Sequence, residues 1–386
     1  MAYEFSDTPE LKKLREKVRS FAVAEIEPKA KGLDEREEYS AEITRASGKQ
    51  GLLGMIIPKE YGGQGLDYLS YIVAVEELAR VDSSQAAIVA AHNSLGINPI
   101  YYYGTEEQKQ RLLPSLCTGD GLWAFALTEP ESGSDAQATK TKAVFDDRRK
   151  EWIINGRKLW ITNSACELSA GITVQAVTGT LSDGRNQLTS FLVPASTPGL
   201  IRKPVLGKMM WRAVSIGELF FEDVRIPEDA ILGSKGRGFR ITLETLDNGR
   251  LSIGAMGLGL AKGVFDLALE YSKKRKTFGV AIAKHQVIAF KLADMAMRIE
   301  AAENLLYKAC WLRQNEKPFG KQAAMAKLYC TEVAEFCARE GQQCFGGYGL
   351  MKDYAVERHF RDVALLRVGE GTNEIQRLII SRHLGC

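Results

Sequence analysis

Apolar residues in the first part of the chain recur with the spacing of one helix face: Leu11, Leu14, Val18 and then Phe21 or Ala22 lie three and four apart. Asp7 or Thr8 followed by Pro9 supplies a start signal, and Pro28 reads as the end of that helix. Two further stretches, residues 69–104 and 104–116, carry helical patterns, the first dense in alanine. Residues 1–120 are therefore expected to be a helical domain. Between 121 and 236 the pattern changes to short β-branched and aromatic runs at 152–156, 159–163, 172–177, 189–194 and 218–227, separated by Gly, Asn, Asp and Pro. Asn155-Gly156 reads as the tight turn of a hairpin, because such a turn needs positive φ at both central residues. This segment is expected to be a barrel-like sheet domain. From 237 to 386 helical spacing returns: Ile288, Leu292, Met295, Ile299, Ala302, Leu306 and Ala309 alternate steps of four and three, the seam of a bundle helix. The fold class is thus multidomain α+β, helices then sheet then helices, which excludes a doubly wound sheet and a repeat array.

A length of 386 residues allows two or three domains with cores that need no disulfide or metal. Hydrophobic residues at 45% and charged residues at 26% are ordinary globular values. The longest apolar runs fall short of the ~18 residues a membrane span needs, so no membrane insertion is expected. Lys and Arg number 51 against 48 Asp and Glu, interspersed rather than in blocks, which gives no electrostatic footprint for nucleic acid and points to a small-molecule partner.

The seven cysteines contain no C-x-x-C pair, which argues against a disulfide framework. Cys330 and Cys337 repeat with Ala326 and Val333 on one helical face and read as buried thiols. Four scattered histidines form no zinc signature, and no metal is expected. The opening residues have neither the apolar core of a secretory signal nor the composition of a transit peptide. A cytoplasmic chain, or an already processed mitochondrial matrix protein, is expected.

Neither G-x-G-x-x-G after a strand nor G-x-x-x-x-G-K-[ST] occurs. Gly254, Gly257, Gly259 and Gly263 sit inside a helical pattern and read as small residues that let helices approach closely. Gly346, Gly347 and Gly349 follow a long helix; on the residues alone they either stop it or let backbone amides reach a ligand. Residues 128–135 form a polar loop that, as a loop, needs no function.

Five segments, in this order, resemble the signatures of the acyl-CoA dehydrogenases: residues 126–135 (ALTEPESGSD), 160–163 (WITN), 275–279 (RKTFG), 343–347 (QCFGG) and 370–376 (EGTNEIQ). The resemblance covers the whole chain. It implies a flavoprotein that oxidises an acyl-CoA thioester to the trans-2-enoyl-CoA with FAD as hydride acceptor. Taking a proton from the carbon beside a thioester carbonyl needs a base within reach and donors aimed at the developing oxyanion. The resemblance puts that base at Glu370, with Gly371 leaving the backbone free to lie close to substrate and the Glu370 amide polarising the carbonyl. Relatives with a different base position carry Glu just before Arg250, where this chain has Gly249.

Asp247, Arg250 and Ser134 are implied on the substrate side. For FAD the matching positions are Phe125, Leu127, Thr128, Gly133, Ser134, Trp160 and Thr162. Arg275, Phe278, Gln286, Gln343 and Gly347 would come from the neighbouring subunit, and Thr372 and Gln376 would close the near side. A cofactor shared in this way implies a homotetramer, a dimer of dimers.

The chain departs from the family pattern at Val214 and Ile216, where most relatives are polar, and at residues 163–168, which lack a common Gly and Asp. Gln85 replaces the Arg that pairs a distal carboxylate in dicarboxylyl relatives, and His92-Asn93-Ser94-Leu95 resembles short-chain members. A C4-like, small branched or alicyclic acyl group is expected, with an electron-transfer flavoprotein as acceptor. The alternatives are an acyl-CoA oxidase that uses oxygen and a non-catalytic CoA-binding scaffold.

Overall fold

The computed structural model describes residues 8–386. Asp7 lies outside them; Thr8 is the first N-cap, its Oγ1 accepting the Leu11 N–H at 3.3 Å. The chain opens with α1 (Pro9–Phe21), α2 (Glu27–Arg36), α3 (Ala41–Lys49), α4 (Tyr68–Val81), α5 (Ser83–Ala91), α6 (Asn98–Tyr103) and α7 (Glu106–Cys117). Eight strands follow: β1 (Leu122–Ala126), β2 (Lys142–Asp146), β3 (Glu151–Thr162), β4 (Ser169–Thr180), β5 (Asn186–Pro194), β6 (Leu200–Pro204), β7 (Ile216–Pro227) and β8 (Ile231–Leu232). The last part is α8 (Gly238–Lys274), a small hairpin of β9 (Lys276–Thr277) and β10 (Val280–Ala281), then α9 (Gln286–Gln314), α10 (Gly320–Phe345), α11 (Ala355–Leu366) and α12 (Asn373–Leu384).

The helix–sheet–helix order is the expected one, with two local corrections. Pro28 does not end the first helical run: Ala22–Ile26 form a π turn, and Pro28 sits in the first turn of α2, where its missing N–H is not needed. Asn155-Gly156 is not a hairpin turn, because β3 runs straight through it and pairs with β7 on both sides. The register slips between Ile154 and Gly156, where two steps along β3 oppose three along β7, so β7 carries the extra residue of a bulge, with Asp223 at φ 50°. The Asn155 side chain locks it by donating to Asp223 Oδ1 (2.9 Å) and accepting the Asp223 N–H (2.8 Å).

The sheet runs β6-β7-β3-β2-β4-β5-β8, with β1 added parallel to β4; β6 and β8 are its two ends. The bundle is built around α8, which packs on α4, α9 and α10. By length and composition α8 is apolar enough to cross a membrane, but most of its apolar window is buried inside the protein. Its glycines explain the fit: a Cβ on Gly259 or Gly263 would overlap the carbonyl oxygens of Glu76 or Arg80 on α4, and one on Gly257 would stand 2.9 Å from Cys330 O on α10. The bundle seam on α9 is as expected, with Leu292, Met295, Ile299, Ala302, Leu306 and Ala309 buried, and Cys330 and Cys337 are buried on α10.

Candidate active site

Between α11 and α12 the backbone turns through two left-handed residues, Glu370 (φ 55°) and Gly371 (φ 89°). A glutamate held at positive φ is uncommon and needs surroundings that hold it there. Lys327, reaching across from α10, provides them. Its Nζ donates to the carbonyl oxygens of Arg367 (3.3 Å) and Gly371 (2.9 Å) and to Asn373 Oδ1 (2.9 Å). Gln376 adds a bond from Nε2 to Gly371 O at 2.8 Å, and Thr372 caps α12 by accepting the Ile375 N–H at 3.3 Å.

The loop backbone is half-buried, but the Glu370 carboxylate points inward, and its Oε2 is buried without a hydrogen-bond partner. Burial pushes its pKa up to about 8, against the opposing pull of Lys327 and Arg250. Burial likewise brings Lys327 down to about 8. The carboxylate lies against Gly249 of α8, where any Cβ would overlap Oε2. A side chain at 249 and an inward Glu370 therefore exclude one another. Arg250 is buried one residue on, ion-paired to Asp247, with its Nε unpartnered. Glu370, Gly371, Arg250, Asp247, Thr372 and Gln376 thus form one group.

A second group forms at the sheet. Phe125 is buried near the end of β1, Leu127 and Thr128 are half-buried in the following loop, and Gly133 and Ser134 are exposed, with nothing within 4 Å of a Cβ built on Gly133. Trp160 breaks the β3–β7 register at φ 59° and is 61% exposed, with half-buried Thr162 beyond it. A large ring left in water on a bulge is an aromatic ledge without a covering partner in the single chain.

The third group is elsewhere on the surface. Phe278, at φ 49°, is 96% exposed at the tip of the β9–β10 hairpin. The Arg275 guanidinium lies over the Tyr348 ring (5.8 Å), beside Gly347, and forms no ion pair among the described residues. Gln286 and Gln343 are exposed nearby in sequence, at the start of α9 and the end of α10. Gln343 is sixteen residues from Lys327 on the same helix, about 24 Å by helical rise, so these residues do not join Glu370 within one chain.

Three residues were missed by motif reading: Lys327, and the buried pair Lys158 and Glu129. The two lysines fall on patterns that signal burial, though not their partners. Lys327 falls on the small-residue stripe Ala323, Ala326, Cys330, and Lys158 on the inward period of Trp152 and Ile154. His92 is a strut: Nε2 bonds Leu116 O at 2.9 Å and Nδ1 accepts the Trp123 N–H at 3.1 Å, so burial holds it neutral (pKa about 4) with no nitrogen left for a ligand. Val214 and Ile216 are apolar because they are buried in the main core, where Trp211 anchors their loop through Nε1 to Ser83 Oγ (3.0 Å) and its N–H to Asp362 Oδ1 (2.8 Å).

The first two groups supply an inward, unpaired carboxylate, an uncovered indole on a bulge and open glycine backbone. These features fit a planar, partly polar cofactor, and Gln376 Oε1, buried without a partner, offers a further polar contact. They fit a flavin-dependent oxidoreductase. The family descriptions "Acyl-CoA dehydrogenase, N-terminal domain", "middle domain" and "C-terminal domain" match residues 8–120, 124–224 and 236–385. The mitochondrial short-chain specific acyl-CoA dehydrogenase of Bos taurus is 42% identical over 383 residues, covering 99% of this chain and 92% of that protein.

Two solved structures superpose with a TM-score of 0.95 at 38% identity. One is butyryl-CoA dehydrogenase from Megasphaera elsdenii, with 100% of both chains covered; the other is a chain from work on the electron transferring flavoprotein of Acidaminococcus fermentans, with 99% of both covered. The chain belongs to the acyl-CoA dehydrogenase family, FAD-dependent oxidoreductases of fatty-acid β-oxidation.

Proposed function

We propose that the protein dehydrogenates a short-chain acyl-CoA to the trans-2-enoyl-CoA, with Glu370 as the base that takes the α-proton. The observation that carries this reading is the Glu370 carboxylate, buried and unpartnered at Oε2 on a strained turn that Lys327 holds in place. A base with a pKa near the operating pH combines proton affinity with a usable fraction of carboxylate, and burial has brought Glu370 to about 8. The left-handed Glu370 and Gly371 bring backbone close to the same space, so the Glu370 N–H is available to polarise the thioester carbonyl. Arg250 and Asp247 line the substrate side, with Ser134 across from them.

FAD, when bound, supplies the acceptor for the β-hydride. Phe125, Leu127, Thr128, Gly133, Ser134, Trp160 and Thr162 would hold its ring, and Thr372 and Gln376 would lie beside it. Arg275, Phe278, Gln286, Gln343 and Gly347 would hold the diphosphate end from a neighbouring subunit. The support for sharing is the separation of about 24 Å along α10 together with the exposure of Phe278. It makes the working state a homotetramer of three-domain subunits (1–120, 121–236, 237–386) in the cytoplasm.

The short acyl preference rests on the bovine and Megasphaera counterparts, and an electron-transfer flavoprotein as acceptor on the Acidaminococcus match. A non-catalytic scaffold would have no use for an unpaired buried carboxylate, which costs folding energy. The test is an anaerobic absorbance titration of the holoenzyme. Butyryl-CoA is expected to bleach the flavin band at lower concentration than a long-chain acyl-CoA; flavin that no acyl-CoA reduces would overturn the reading.

A further inference from the structure

Lys158, the second buried lysine, lies on β3 and is fully enclosed. Its ammonium donates to Leu127 O at 2.9 Å and to Glu129 Oε1 at 2.8 Å. Glu129 is buried as well, and accepts the Thr141 N–H at 3.0 Å and the Lys140 N–H at 2.7 Å. The next strand residue, Leu159, donates its N–H to Thr128 O at 2.9 Å. Two consecutive residues of β3 therefore grip three consecutive residues of the loop, and the same carboxylate fixes the point where the loop returns to the sheet.

This grip has a directional result. In a trans peptide the C=O and the following N–H point to opposite sides. With Leu127 C=O turned onto Lys158, the Thr128 N–H faces away from the strand. Immediately after Lys158 the register with β7 slips, and Trp160 swings outward.

We propose that the Lys158–Glu129 pair is a positioning device for the flavin, tying the 127–129 backbone and the Trp160 bulge into one ledge before the cofactor arrives. The inference rests on Leu127, Thr128 and Trp160 being flavin contacts. Stability alone gives no reason for the charges, since apolar side chains of similar volume often replace a buried ion pair without loss. What the charges add is direction, because the ammonium aims separate donors at two acceptors on successive parts of the loop.

The test uses Lys158→Met/Glu129→Gln, which removes both charges and leaves the Gln oxygen as an acceptor for the Thr141 N–H. Apoprotein Tm is measured beside FAD affinity, read from the quenching of flavin fluorescence. The expected result is a double variant that still folds, with Tm lowered because Leu127 O and the Lys140 N–H lose their partners, and with FAD binding weakened about tenfold, the worth of one good hydrogen bond. An unchanged FAD Kd would overturn the proposal. So would a variant that no longer folds, because the pair would then be a structural support. Trp160→Ala is run alongside: if it binds FAD as tightly as the parent, the contact reading itself falls and the proposal with it.

Discussion

At the scale of single residues, the chemistry turns on what burial does to Glu370. Its ordinary value of 4.5 is raised to about 8 because the carboxylate loses water and gains only distant cations. The base works as carboxylate, so kcat/KM is expected to climb about tenfold per pH unit below that value and level off above it. A pH–rate profile of the holoenzyme checks this, and a profile flat from pH 6 to 9 would contradict it.

Folding stability should respond in the opposite sense. A raised pKa means the folded protein prefers the protonated form, so the stability Glu370 contributes is full below about 4.5 and lost as pH rises through about 8. Glu370→Gln, which never ionises, should therefore shift the urea midpoint upward relative to the parent at pH 9 and little at pH 4. Equal shifts at both pH values would contradict the burial account. Glu370 was legible through its motif, and Gly249 through its contrast with relatives. The partners of Lys327 were not, because no local pattern shows that a lysine on a buried stripe will find three oxygens at a loop forty to forty-six residues on.

At the scale of elements, the proposed base depends on α10 as much as on its own turn. Lys327 bridges α10 to the α11–α12 connection, and its three bonds hold the left-handed pair open. Lys327→Met should take one of two donors from each of Asn373 Oδ1, Arg367 O and Gly371 O, which keep Thr331 Oγ1, the Asn373 N–H and Gln376 Nε2, cost about 1–3 kcal/mol of stability, and lower kcat more than it raises KM. Urea denaturation alongside steady-state kinetics separates the two effects, and unchanged kcat in the folded variant would show that the turn holds itself.

The two misread elements have different causes. Asn155-Gly156 has the composition of a turn, but the following β3 residues pair with β7, and long-range pairing overrides the local preference. Pro28 has the chemistry of a stop, but a π turn before it lets a new helix begin with proline in its first turn. Only at Asn155-Gly156 is the deciding partner distant in sequence. By contrast the α9 seam was legible because its period alone identifies the buried face.

At the scale of the whole molecule, the helix–sheet–helix order was readable from period changes, and the signature segments were readable in order. That one set of them would lie apart was implied only by the family resemblance, because nothing in the local pattern shows it. Arg275 and Phe278 stand on a hairpin whose tip is fully exposed in one chain, while Glu370 lies in the interior. A phosphate suits a guanidinium that has no acidic partner, since the planar fork supplies two directed donors. If a neighbouring subunit completes the site, Arg275→Ala should lose FAD on gel filtration and dissociate more readily from the tetramer, both seen by light scattering with absorbance at the flavin band. A variant that keeps its FAD and its mass would contradict the shared site.

The most direct test of the central claim is the rate at which butyryl-CoA reduces the flavin in Glu370→Gln holoenzyme, measured by anaerobic stopped flow beside the parent. The amide keeps the shape and the turn but cannot accept the α-proton. The variant should retain FAD and reduce it about 10²–10⁴-fold more slowly, the usual loss for a general base. Reduction at the parent rate, with FAD fully bound, would show that Glu370 is not the base.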